Sequence, residues 1–224
     1  MPTLLLRLQG PMQSWGTRSR FDHRDTWPYP TKSGVLGLLA AALGRDRQED
    51  ISDLASLRMG VRVDRRGVLQ VDYQTAREIL AASLKAKVNV QSWRYYLADA
   101  AFLVALEGPA SLLAEAHRAL LNPRFVLYLG RKGYVPSPPP YLEDGLREEP
   151  LEEALRHYPY LLPETPKEPL LLVIESQEGR LVYDQPLAPF AQRRFGVRYV
   201  QEVVLPQDSV KVLAAKSMEE NHVD

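Results

Sequence analysis

Lys32 stands directly before Ser33-Gly34 at the mouth of an almost wholly apolar run, Val35–Leu43, and this is the first place where the chain could do chemistry. A helix opening at Ser33 as N-cap turns unpaired N–H groups to solvent. With Lys32 beside them, such an end is a seat for an anion. The loop that leads into it, residues 9–31, carries Trp15, Arg18, Arg20 and Trp27. Flat rings mixed with guanidinium groups suit a polyanion with bases, RNA above all, better than a small metabolite. Three later clusters share this character. Tyr73 lies near Arg77, Lys85 and Lys87; Trp93-Arg94-Tyr95-Tyr96 mixes aromatic and cationic groups; Arg131-Lys132 sits in a glycine-bounded turn suited to a phosphate.

Each signal has a plainer counterpart. Trp15 serves equally as a core plug behind a Gly-Pro turn, and Lys32-Ser33-Gly34 equally as an ordinary capped helix. The Gly-rich spacing of a Walker A loop is missing before the lysine. Core packing accounts for at least one ring of the 93–96 cluster.

Signals of catalysis are poorer. The four histidines, at 23, 117, 157 and 222, show no metal-ligand spacing, so no metal and no cofactor are expected. With no cysteine, thiol catalysis and disulfides are excluded. If the chain cuts RNA, the metal-independent route fits best. Tyr73, His23 and Lys85 or Lys87 would then move protons while the RNA's own 2′-hydroxyl attacks.

The formal net charge is +0 over 224 residues, so nucleic-acid binding has to come from local patches. Residues 58–98 hold eight Lys/Arg against three Asp/Glu, whereas residues 137–170 hold three against eight, with many prolines. The second stretch reads as a solvated, partly irregular connection. No signal peptide is visible and the longest apolar run is too short for a bilayer, so a cytoplasmic protein with no membrane association is expected. Arginine outnumbers lysine 21 to 7, a weak hint of a thermophilic or high-GC source.

The elements that must position these groups follow from periodicity. Leu4, Leu6 and Leu8 alternate as one buried side of a strand over residues 3–9. A buried helix spans 33–43, closed by Gly44. Residues 51–57 add a short helix, and strands follow at 59–63 and 68–73. Residues 76–92 have weak periodicity and read as a projecting thumb that orders against a partner. A strand at 100–106 precedes a helix at 110–121, striped by Leu113, Ala116 and Leu120, and a further strand at 125–129 follows. Strand-helix-strand twice over is the ferredoxin-like, RRM-type order. The fold class expected is therefore α+β: a ferredoxin-like domain over residues 1–132 with an inserted thumb. Residues 133–224 form a linker and a β-rich C-terminal extension, with strands near 170–175, 181–183 and 197–205.

At five of these stretches the chain resembles the CasD family of CRISPR-associated proteins, in the RAMP superfamily. They are LQGPMQSWG at 8–16, PTKSGVLGLL at 30–39, DYQT at 72–75, QSWRYYLADAAF at 91–102 and YLGRK at 128–132, in the family's order. A weaker match, RRFGVRYV, lies at 193–200. The resemblance implies a structural subunit of a type I-E Cascade effector. It would grip the five-prime handle of the crRNA between a CasC-type backbone subunit and a CasA-type large subunit, meeting target DNA only indirectly. Some relatives in subtype I-C cleave precursor crRNA, but the thumb segment here, Leu84–Gln91, has no histidine. A binding role without turnover is expected, with the endoribonuclease as the alternative.

Overall fold

The structure, a computed structural model, describes residues 1–16, 22–80 and 87–211. A seven-stranded sheet forms its centre. In chain order its strands are β1 (Thr3–Gln9), β4 (Arg58–Arg65), β7 (Ala101–Glu107), β8 (Leu146–Arg147), β9 (Leu170–Ser176), β10 (Arg180–Pro186) and β11 (Phe195–Leu205). They lie in the order β10-β11-β9-β4-β7-β1-β8, every pair antiparallel.

The ferredoxin-like unit is the quartet β8-β1-β7-β4. Helices α1 (Lys32–Leu43) and α3 (Ala110–Leu121) pack on one face of it, and the short α2 (Ser52–Ala55) leads into β4. The stripe Leu113, Ala116, Leu120 of α3 is buried as its spacing predicts, and α1 is buried on nearly all sides. Gly44 ends α1 in the left-handed region, φ 78°, its N–H returning to the Ala40 and Ala41 carbonyls.

Three expectations are corrected. Residues 125–129 are not a strand. The place beside β1 is taken by residues 137–147, where Ser137 N–H donates to the Gln9 carbonyl, while the Pro140 and Gly145 carbonyls accept from Arg7 and Leu5. Prolines at 138, 139 and 140 have no N–H to donate, so this edge bonds in patches and shows only two residues of strand. Next, β1 has two buried sides rather than one: Leu4, Leu6 and Leu8 face α1 and α3, and Leu5 faces the opposite layer.

The third correction is that layer. Residues 137–170 are not simply a solvated connection. They contain α4 (Leu151–His157), whose Leu151, Ala154 and Leu155 close the second face of the sheet with Tyr158, Tyr160 and Leu162. β7 is consequently buried along its whole length. Phe102, Val104 and Leu106 point to one core, Ala101, Leu103 and Ala105 to the other. Arg62, fully buried, ties this layer down. It pairs with Asp64 at 2.6 Å and donates to the carbonyls of Leu155, Tyr158 and Pro159, ending α4 on β4.

The C-terminal strands extend the same sheet, since β4 pairs β7 on one edge and β9 on the other. The boundary expected near residue 132 therefore falls within one continuous sheet. A second sheet stands apart from it. β5 (Val68–Leu80) and β6 (Lys87–Ala98) form a long antiparallel ribbon, and β2 (Met12–Gln13) and β3 (His23–Arg24) lie along the other edge of β6. The thumb expected over 76–92 is part of this ribbon, as strand up to Leu80 and again from Lys87. Three of its cross-strand pairs join β-branched or aromatic residues on both strands: Val71–Tyr95, Tyr73–Trp93 and Ile79–Val88.

Candidate nucleic-acid interface

Three rings from three strands meet in one row. Tyr73 on β5 stands directly opposite Trp93 on β6, and His23 on β3 stands opposite Trp93 from the other edge. Residues in register share a face, so all three project the same way. The His23 ring stacks on the indole at 5.0 Å and 8°, and the Tyr73 ring leans on it at 5.4 Å and 57°. Tyr73 is 52% exposed, and Val71 and Leu69 continue its face open to solvent. The row is held by backbone pairing, with His23 and Tyr73 exposed at its ends and Trp93 half-buried between them. It can stack a base of any sequence and offers an imidazole and a phenol at its ends.

The neighbouring register positions, Asp72, Arg94 and Arg24, point to the reverse face. Arg94 is half-buried there and donates to Ser92 Oγ at 3.1 Å. Arg131 is the staple between this sheet and the 128–134 turn. Its guanidinium donates to the Arg24 carbonyl at 3.1 Å and to Tyr134 Oη at 3.0 Å, while lying over the Tyr134 ring. Lys132 beside it is exposed. Gly130 makes the turn possible. Its φ is 88°, and an added Cβ would stand 1.7 Å from the Ser14 carbonyl oxygen.

Farther along the ribbon Arg77 is exposed at the register break between Ala76 and Ile79, and Lys87 pairs with Glu78 at 3.5 Å. Arg18 and Arg20, and Lys85 in the thumb, lie outside the described residues.

The structure separates two predicted residues from this surface. Trp15 is 1% exposed and plugs the core against Gly34, whose added Cβ would meet the indole at 2.8 Å. It offers no stacking surface. Lys32 is also 1% exposed, with Nζ 3.0 Å from both Glu175 oxygens. Burial pulls its ammonium below the ordinary lysine value, and Glu175 works in the opposite direction.

The anion seat at the start of α1 is real in geometry, but a side chain of the same chain fills it. Asp184 Oδ2 accepts from the Lys32 N–H at 2.7 Å and is gripped by Arg198 at 3.0 Å. Thr31, not Ser33, is the N-cap, its hydroxyl accepting from the Gly34 N–H. Ser33 and Gly34 are half-buried, and the Cβ direction of Gly34 is toward Trp15. Sequence reasoning missed Asp184, Glu175 and Arg198 because they lie more than 140 residues beyond Lys32. Nothing in a two-residue strand announces the parallel pairing of His23 to Trp93.

The geometry can be set beside known proteins. A family model described as CRISPR-associated protein (Cas_Cas5) matches residues 3–201. The CRISPR system Cascade subunit CasD of Escherichia coli (strain K12) is 35% identical over 173 residues, 70% of this chain and 77% of that protein. A solved crystal structure of a Cas protein is 67% identical with a TM-score of 0.82, covering 94% of this chain and 98% of that one. A chain of a solved CRISPR RNA-guided surveillance complex is 31% identical with a TM-score of 0.75, covering 96% and 95%. The chain therefore belongs to the Cas5 family of CRISPR-associated proteins, in its CasD branch.

Proposed function

We propose that this chain is the non-catalytic crRNA-binding subunit of a type I-E Cascade effector in the cytoplasm, holding the five-prime handle of the guide RNA. In that role it sits between a CasC-type backbone subunit and a CasA-type large subunit, and meets target DNA only through the assembly. The observation that carries the reading is the row Tyr73–Trp93–His23, midway along the β5–β6 ribbon with exposed rings at both ends. Family membership and the likeness to a chain of an RNA-guided surveillance complex support it. Arg77, Lys87 and Lys132 are proposed to meet phosphate, as are Arg18, Arg20 and Lys85 outside the described residues.

The test is titration of labelled CRISPR-repeat RNA with wild type and Trp93→Ala. One stacked base is worth about 1–3 kcal/mol, so the variant should bind roughly ten- to a hundredfold more weakly. Affinity should also fall steadily with rising salt. Unchanged affinity in a folded Trp93→Ala protein would remove the platform from the RNA path.

One observation favours a second reading. His23 and Tyr73 flank the same indole, and an imidazole and a phenol on either side of a bound nucleotide are an acid–base pair for 2′-hydroxyl attack. A time course on repeat RNA at protein excess in EDTA decides between the two. Site-specific cleavage abolished by Tyr73→Phe or His23→Ala would make the chain an endoribonuclease.

A further inference from the structure

Away from the ring row, a cavity of about 380 Å³ lies along α1. Gly34, Gly37 and Ala41 form its floor, one small residue per helical turn, so the backbone itself is the surface. Its walls come from two distant segments: Phe125 and Tyr128 on one side, Phe190 on the other. Phe125 is 51% exposed and Tyr128 40%, so both rings are accessible to a ligand. Arg47 closes one end, its guanidinium donating to the Phe190 carbonyl at 3.3 Å while the Ala191 N–H returns to the Arg47 carbonyl at 2.8 Å. Arg47 is exposed and pairs with no carboxylate among the described residues, whereas Arg45 is taken by Asp53. The acid on the lining, Asp46, accepts from its own loop at the Gln48 N–H.

We infer that this cavity takes one nucleobase of the bound RNA, slotted between the aromatic walls over the glycine floor, with its phosphate on Arg47. The size matches a small flat ligand. A glycine floor lets a ring approach the helix backbone, and aromatic walls with a cationic rim match a base joined to a phosphate. Position selects RNA over a protein segment. Gly130 lines the cavity, and the next residue, Arg131, is the one fastened to Arg24 beside His23. An RNA strand that leaves the ring row past His23 would reach this turn at the outer edge of β3 before the cavity. The inference rests on the RNA-binding reading above.

Gly37→Leu tests it cleanly. A Cβ at Gly37 meets only Phe190 Cζ, at 3.8 Å, so a side chain enters the open space without displacing the core. Replacing a glycine inside a helix also favours the helix, so thermal stability should be kept or raised. The probe is fluorescently labelled single-stranded CRISPR-repeat RNA, titrated against full-length wild type, Gly37→Leu, Arg47→Ala and Trp93→Ala. Gly37→Leu should bind about tenfold more weakly, as for one lost stacked base. Arg47→Ala should bind a few-fold more weakly and depend less on salt. If Trp93→Ala weakens binding while Gly37→Leu stays within twofold of wild type, the cavity proposal falls and the platform stands. If neither variant weakens binding, both fall. Unchanged RNA affinity in Gly37→Leu with lost association to the other Cascade subunits overturns the proposal in favour of a protein occupant.

Discussion

Lys32 and Asp184 are 152 residues apart in the chain, yet the Lys32 main-chain N–H donates to Asp184 Oδ2 at 2.7 Å. That contact places a carboxylate of β10 on the N-terminus of α1, where the helix dipole favours negative charge. It also draws in Arg198 and Glu175, so that two cations and two anions lock the C-terminal strands to the first helix.

Lys32→Met should therefore act on stability, not directly on RNA. It leaves Glu175 short of one partner, though Met59 N–H and Arg198 still serve that carboxylate. The expected loss is about 1–3 kcal/mol, read as a lower denaturant midpoint with an unchanged slope. RNA affinity of the folded fraction should match wild type. Normal stability combined with lost RNA binding would return Lys32 to the interface.

Asp64→Ala should be more damaging. Arg62 and Asp64 are both buried, and removing the carboxylate strands a guanidinium in the core. Losses of about 3–5 kcal/mol are usual for such a half-broken pair. Because Arg62 also holds the carbonyls ending α4, hydrogen exchange should rise first across residues 151–161. Exchange confined to the ribbon instead would contradict this account.

Gly130→Ala tests the turn that carries Arg131 and Lys132. A methyl group cannot occupy a point 1.7 Å from the Ser14 carbonyl oxygen, so the turn has to move. The variant should melt lower and bind repeat RNA more weakly. Exposed Lys132→Ala should leave melting unchanged and only lessen the salt dependence. Equal melting temperatures for Gly130→Ala and wild type would mean that the turn yields without cost.

Acid stability should depend on two surface pairs. The hydrogen bond from Arg58 holds Glu152 below its ordinary 4.5, and that from Arg45 holds Asp53 below its ordinary 3.8. A carboxylate depressed in the folded state contributes its stability above the unfolded value. That stability is lost as pH falls through the folded value. Arg58→Gln and Arg45→Gln should thus lower stability at neutral pH slightly and flatten its decline below about 4.5. Urea midpoints measured from neutral pH downward check this. A decline as steep as wild type in the double variant would assign acid unfolding to other groups.

Periodicity was enough for the parts of the fold held by local chemistry. The alternation of Leu4, Leu6 and Leu8, the stripe of α3, the buried helix ending at Gly44 and the C-terminal strands can all be read from residue spacing. With the strands near 59–63 and 100–106 their order implies the ferredoxin-like unit, although its last strand does not lie at 125–129 as spacing suggests and the second buried side of β1 leaves no alternation to read. Tyr73 and Trp93 could be chosen as RNA-facing candidates from residue type alone. What they stand against could not. The sequence determined that Lys32 opens a helix, that Trp15 precedes it and that His23 lies in a polar stretch. That Lys32 and Trp15 are interior, and that His23 completes a row of rings, follows from long-range packing alone. Solvent access and partnership depend on which distant strand closes over a residue. Asp184 reaches Lys32, and β6 reaches His23, through pairings whose sequence separation leaves no periodic trace.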